Sequence, residues 1–130
     1  MIKQEMSNLE FIINSETLKE KLEIKPPGLF NKKYVVKEGS TFRVSCTFND
    51  ENFIGTNHLS WRNENNRKID GESSSSVFTI GLHEYGTKNK KLSLVFTKIA
   101  KRDAGIYKCV GSDSSGRIYQ RDIEIIIVGK

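Results

Sequence analysis

From residue 34 onward, apolar side chains recur at every second position in one short run after another, and this alternation admits few folds. In "STFRVSCTF", Phe42, Val44, Cys46 and Phe48 share one face while Arg43, Ser45 and Thr47 share the other. "HLSWRN" sets Leu59 with Trp61, and "KLSLVFTKI" sets Leu92, Leu94 and Phe96 together with Ile99 closing the end. "GIYKCVG" places Tyr107 with Cys109, and "RDIEIIIV" aligns Ile123, Ile125 and Ile127. "SVFTIG", residues 76–81, is a weaker candidate strand. Polar, turn-prone pieces separate these runs: "NDENFIGTN", "NENNRKIDGESSSS", "HEYGTKNK" and "GSDSSG". Many short strands with one apolar face predict an all-β antiparallel sandwich or barrel, not a buried parallel sheet.

The chain has 130 residues, the length of one domain. A chain of that size buries about two-thirds of its extended surface, so its core needs no metal. The hydrophobic share, 36%, is ordinary and speaks for a folded chain. A net charge of +5 implies solubility and suits an acidic partner, without pointing to nucleic acid. No run approaches the roughly eighteen apolar residues of a membrane span, so no membrane insertion is expected. Near the N-terminus the longest apolar run is "FII", too short for the core of a secretory leader. The expectation is a cytosolic protein, or one whose leader has been removed.

"LEIKPPG", residues 22–28, reads as an extended entry that lies on a sheet edge or stops at Pro26 and Pro27, which have no N–H for a ladder. Upstream, "NSETLKEKL" has Thr17 and Glu20 at capping-box spacing and fits one helical turn or a flexible arm. The chain thus divides into an arm over 1–20 and a β domain over 21–130, with no internal repeat.

Cys46 and Cys109 are the two cysteines, and neither stands in a C-x-x-C pair. His58 and His83 show no ligand spacing, so no metal and no cofactor is expected. Two readings of the thiols stand at this point. A bridge across 63 positions stabilises by about 4 kcal/mol in the chain-entropy model; two buried reduced thiols are the alternative. Catalysis finds no support. There is no phosphate-cradling Gly loop and no H-E-x-x-H, and "GSDSSG" is not a G-x-S-x-G elbow. Pairing Cys46 with His58 as nucleophile and base conflicts with the inward parity of Cys46. No catalytic residue is assigned.

The remaining pattern is more specific. Cys46 lies mid-strand, Trp61 follows on the next strand, and Tyr107 stands two residues before Cys109. Leu92, Leu94, Phe96 and Ile99 precede a turn that holds Asp103 and Gly105. With "DAGIYKCV", this framework resembles an I-set or V-set immunoglobulin domain of a cell-surface protein. Over residues 22–128, "LEIKPPG", "EGSTFRVSC", "LSWRNENNRKI" and "LSLVFTKIAKRDAGIYKCVGSDSSG" are similar to the N-terminal domain of the neural cell adhesion molecule and fasciclin II families. The resemblance implies an immunoglobulin-like, two-sheet antiparallel Greek-key sandwich with one inter-sheet disulfide, Cys46–Cys109. It also implies Trp61 packed beside the sulfurs, Leu94 in the core, and a Tyr107 hydroxyl returning to the preceding turn, which Asp103 and Gly105 shape. Two departures stand out. The stretch from Trp61 to Cys109 is long, which predicts an additional strand or long loop near 70–90. "ESSSS" lacks the basic residue that pairs with the aspartate in many relatives, leaving Lys68 or Arg102 as substitutes.

The resemblance further implies protein–protein recognition at a cell surface, as an adhesion molecule or receptor, with another cell-surface or secreted protein or a second copy as partner. The outward face of the sheet with Trp61 and Cys109 is expected to carry Arg62, Lys108, Val110, Tyr119 and Arg121. Phe53 and Ile54, in the loop after Cys46, are read as an apolar anchor or as a cap on the sandwich end. A second reading takes Lys88, Lys90, Lys91, Lys98, Lys101 and Arg102, a stretch without an acidic residue, as a site for heparan-type sulfates. A third is an intracellular structural module of a muscle filament, with both thiols reduced. There is no Asn-x-Ser/Thr sequence, so no N-glycosylation is expected.

Overall fold

The structure, a computed structural model, describes residues 21–28, 32–49, 58–69, 76–83, 89–113 and 116–129. Among the described residues eight strands occur in chain order: β1 (Leu22–Lys25), β2 (Lys33–Lys37), β3 (Phe42–Asn49), β4 (His58–Arg62), β5 (Val77–His83), β6 (Asn89–Phe96), β7 (Gly105–Ser112) and β8 (Ile118–Val128). They form two four-stranded sheets, ordered β1-β3-β6-β5 and β2-β8-β7-β4. The alternating runs become these strands because only period two lets each run send its apolar residues into the space between the sheets.

Residues 1–20, with the capping-box pattern at Thr17 and Glu20, lie outside the described residues. So do Phe53, Ile54 and Lys88. The long stretch after Trp61 is taken up in part by a turn at Asn63–Arg67 and in part by β5, which runs past the expected 76–81 to His83. The Asn63 side chain accepts from the N–H groups of Asn65 and Arg67, both at 3.0 Å, and returns the chain to a bridge between Lys68 and Arg62.

The pairing is antiparallel everywhere except between β2 and β8, which run parallel from Lys33 opposite Glu124 to Lys37 opposite Val128. Prolines end the first ladder. β1 pairs with β3 up to Lys25 opposite Ser45, and Pro26 and Pro27 cannot extend the ladder. The chain then crosses to the second sheet, where the Tyr34 hydroxyl donates to the Pro26 carbonyl at 2.6 Å and holds the crossover.

Between the sheets Leu22, Val44, Phe48, Trp61, Leu94, Phe96, Ile99, Ile123 and Ile125 are buried with both cysteines. Each large apolar side chain removed from water contributes about 1.5–3 kcal/mol. Cys46 on β3 and Cys109 on β7 are bonded across this space, at a Cα separation of 6.5 Å. Trp61 has no exposed surface, and its indole N–H donates to the Leu92 carbonyl at 2.9 Å, tying β4 of one sheet to β6 of the other.

At one end of the core the sheets approach closely. A Cβ at Gly111 would stand 2.9 Å from the Phe48 ring and 3.4 Å from Leu22, so only glycine fits there. Gly111→Ala is expected to lower unfolding free energy by about 1–3 kcal/mol through overpacking. Removing the bridge as Cys46→Ala with Cys109→Ala is expected to cost about 2–5 kcal/mol. Urea denaturation checks both, and a Gly111→Ala midpoint equal to that of the parent chain would contradict the packing account.

Candidate recognition surface

The turn between the sheets positions one end of the surface. A short 3-10 turn, Lys101–Asp103, leads into Gly105, whose φ of +142° an L side chain rarely adopts. Asp103 is buried, and its Oδ2 accepts from the Ala100 N–H at 2.8 Å. The Tyr107 hydroxyl donates to the Asp103 carbonyl at 2.7 Å, and its ring meets Phe96 edge-on at 5.4 Å. Among the described residues neither Lys68 nor Arg102 forms an ion pair with Asp103, whose carboxylate is held by the Ala100 N–H instead.

Burial pushes the Tyr107 phenol up to about 12, with the carboxylates of Asp103 and Glu64 adding to the rise. Burial also raises Tyr34, against an opposing pull from the Arg121 guanidinium.

From this corner β7 presents Ile106, Lys108 and Val110 outward, while Tyr107 and Cys109 point in. Register brings the outward residues into rows. Arg62 stands opposite Lys108, which stands opposite Asp122; Ser60 stands opposite Val110, which stands opposite Gln120. Arg62, Lys108 and Val110 are therefore gathered on the outward face of the second sheet, as expected.

Tyr119 and Arg121 are not on it. Both share the inward parity of Ile123 and Ile125 on β8. Tyr119 is buried, meets Phe48 edge-on at 5.8 Å, and donates its hydroxyl to Asp113 at 3.3 Å. Arg121 lies along the seam with β1, its Nη1 donating to the Leu22 carbonyl at 3.0 Å, while its buried Nε has no hydrogen-bond partner among the described residues. β8 runs without a bulge over eleven residues, so parity carries back unbroken from Ile127 to Tyr119.

The outward positions of β8 are Ile118, Gln120, Asp122, Glu124, Ile126 and Val128. The same alternation that marks Ile123 and Ile125 as inward would have found them. Ile118 is 70% exposed, and Val35, opposite Ile126, is 53% exposed. Ile106 and Val128 add to this aliphatic content, and charged residues stand between them: Glu124 is flanked by Lys33 and Ile106, and Asp122 by Lys108. A depression of about 200 Å³ borders the face, lined by Asn63, Glu64, Arg102 and Tyr107 among others. Glu64 Oε1 accepts from the Ile106 N–H at 3.2 Å there. Among the described residues no cluster of His, Cys, Asp and Glu could hold a metal ion.

The basic stretch is divided. Lys90 and Lys91 lie at the start of β6, opposite Phe48 and Thr47, whereas Lys98, Lys101 and Arg102 lie beyond its other end. At about 3.3 Å per residue, about 17 Å of strand runs from Lys91 to the end of β6 before the second group begins, too far for one compact sulfate site.

An immunoglobulin domain family model matches residues 32–119. Neuronal immunoglobulin domain-containing protein rig-3 of Caenorhabditis elegans is 37% identical over 93 residues; the match covers 72% of this chain and 19% of that protein's length. Among solved structures, the first immunoglobulin domain of mouse SynCAM 2 is similar with TM-score 0.56 and 14% identity, over 75% of this chain and 92% of that one. Dpr2 in complex with DIP-Theta gives 0.62 and 14%, over 83% and 32%. The titin M10–obscurin-like 1 complex gives 0.58 and 13%, over 85% and 96%. At these identities the structural likeness is one of fold.

The corner yields a pH test. Because the folded-state phenol ionises near 12 and an unfolded one near 10, the unfolded chain releases its proton first as pH rises. Stability is therefore full below about pH 10 and falls between about 10 and 12, and Tyr107→Phe is expected to flatten that fall. The substitution also removes the bond to Asp103, costing about 1–2 kcal/mol at neutral pH. Urea melts across pH 8–12 read both effects; equal slopes for parent and variant would contradict them.

Proposed function

The chain belongs to the immunoglobulin domain family, and on that premise we propose that residues 21–130 form an extracellular recognition module of a cell-surface adhesion molecule or receptor. In this reading the module binds another protein through the outward face of β4, β7, β8 and β2. The observation that carries it is the makeup of that face, where Ile118, Ile106 and Val35 stay open to solvent between short rows of opposed charge. Aliphatic surface supplies the contact energy on such a face, and fixed charges choose the partner and its orientation.

Other observations lean the same way. The Cys46–Cys109 bond suits an oxidising compartment. A relative is named as a neuronal immunoglobulin domain-containing protein, and two structural neighbours are complexes of one immunoglobulin-fold protein with another. A protein partner follows from these more naturally than a sulfated glycan, given the divided lysines.

Two measurements test the reading. The immobilised chain is screened against extracellular immunoglobulin-domain proteins and against itself. Charge reversal as Arg62→Glu with Lys108→Glu is expected to weaken the hit about tenfold or more, while the melting temperature stays near that of the parent. In the source cells, thiol alkylation without reductant should leave both cysteines unmodified. Full binding by the reversed variant would remove this face, and two alkylated cysteines would put the protein in a reducing compartment.

A further inference from the structure

A sheet that ends in solvent presents unpaired N–H and C=O groups, and proteins discourage a foreign strand there with charge, proline, short length or cover. Three of the four edge strands show such devices. β1 is four residues long, carries the Glu23–Lys25 pair, stops at Pro26, and has its Leu22 carbonyl taken by Arg121. β2 is five residues long, with exposed Lys33 and Lys37. β4 is partly covered by the returning chain, through the Arg62–Lys68 bridge and the Ile69 N–H donating to the Trp61 carbonyl at 2.9 Å.

Among the described residues β5 carries none of them along its backbone; the chain at Ile69 reaches it only through the Thr79 hydroxyl, which donates to the Ile69 carbonyl at 3.2 Å. Its seven residues, "VFTIGLH", include no Lys, Arg, Asp, Glu or Pro, in a chain of net charge +5. The phase of its ladder follows from one bond. The Thr97 N–H donates to the Ser76 carbonyl at 3.0 Å, and Val77 lies opposite Phe96. Phe78 and Ile80 therefore turn their backbone groups toward β6, whereas Val77, Thr79, Gly81 and His83 turn theirs away from it. Among the described residues none of these outward-turned groups has a backbone partner.

We infer that β5 is a self-association edge, at which two copies of this chain join their β1-β3-β6-β5 sheets by antiparallel β5–β5 pairing about a two-fold axis at Ile80. In that register Thr79 stands opposite Gly81 of the second copy, and Val77 opposite His83. Each outward N–H then meets an outward C=O. The Ile80 residues meet each other at a close, non-hydrogen-bonded position, which covers a side chain that is 39% exposed in the single chain. The partner is a second copy because the strand is uncharged and this register matches it to itself, closing the assembly at two. The same self-pairing of β2 about Val35 would set Lys33 opposite Lys37 of the second copy. This contact goes beyond the recognition face, which belongs to the other sheet and stays open in such a dimer.

The test is sedimentation velocity of the whole chain over a wide concentration range, with hydrogen exchange read at the amides of Thr79 and Gly81. A concentration-dependent dimer is expected, with those two amides gaining protection as it forms. Ile80→Lys sets two ammonium groups at the axis, and Gly81→Pro deletes an outward N–H without touching the β6 ladder. Each should weaken the dimer about tenfold or more. Arg62→Glu with Lys108→Glu should leave it unchanged. A chain that stays monomeric at millimolar concentration overturns the inference. So does a dimer in which Thr79 and Gly81 exchange as in the monomer, a readout that holds even if a variant misfolds. A dimer lost only on Arg62 and Lys108 reversal would place self-association on the recognition face, overturning this edge while leaving the proposed function standing.

Discussion

The Cys46–Cys109 bond with the Trp61 indole beside it is the constraint on which the remaining structure depends. It joins β3 to β7, strands of opposite sheets, and so sets the thickness of the layer that all other inward side chains must fill. The indole closes the space next to the sulfurs and reaches the backbone of β6, so two independent ties cross the same layer. Gly111 follows from that thickness. Where Phe48 and Leu22 lean across, nothing larger than hydrogen fits on the facing strand. The Tyr107 corner follows too, since Tyr107 lies two residues before Cys109 and must fill the next inward position.

Strands buried on one face announce themselves by alternation, which is why β3, β6, β7 and β8 could be read from residues 42–48, 92–96, 105–111 and 121–128, with β8 starting earlier, at Ile118, than that run shows. The crossover at Pro26 and Pro27 was legible as a stop, but its consequence was not. Whether the chain re-enters its own sheet or the opposite one depends on contacts such as Tyr34 with the Pro26 carbonyl, between residues eight apart, and no local pattern encodes that. The parallel β2–β8 pair therefore came only with coordinates.

The recognition face was partly legible, for the same reason. Arg62, Lys108 and Val110 have parity opposite to a neighbouring cysteine or tryptophan, and they lie outward as expected. Tyr119 and Arg121 look like surface residues by chemistry, yet parity counted back from Ile123 puts them inside. Chemistry misled where periodicity was sound. Long amphipathic side chains make this possible, because Arg121 can bury its stem and still deliver a donor to the Leu22 carbonyl at the seam. The basic stretch failed as one site for a different reason: neighbours in sequence become distant when a straight strand lies between them.

The parallel pair has a mechanical side. Opposed forces applied to β2 at Lys33 and to β8 at Val128 act at opposite ends of the same ladder. Such a load pulls the two strands lengthwise past each other, so their hydrogen bonds resist together instead of opening one by one. Should that ladder yield, the covalent link from β3 to β7 still stops the 63-position loop from paying out.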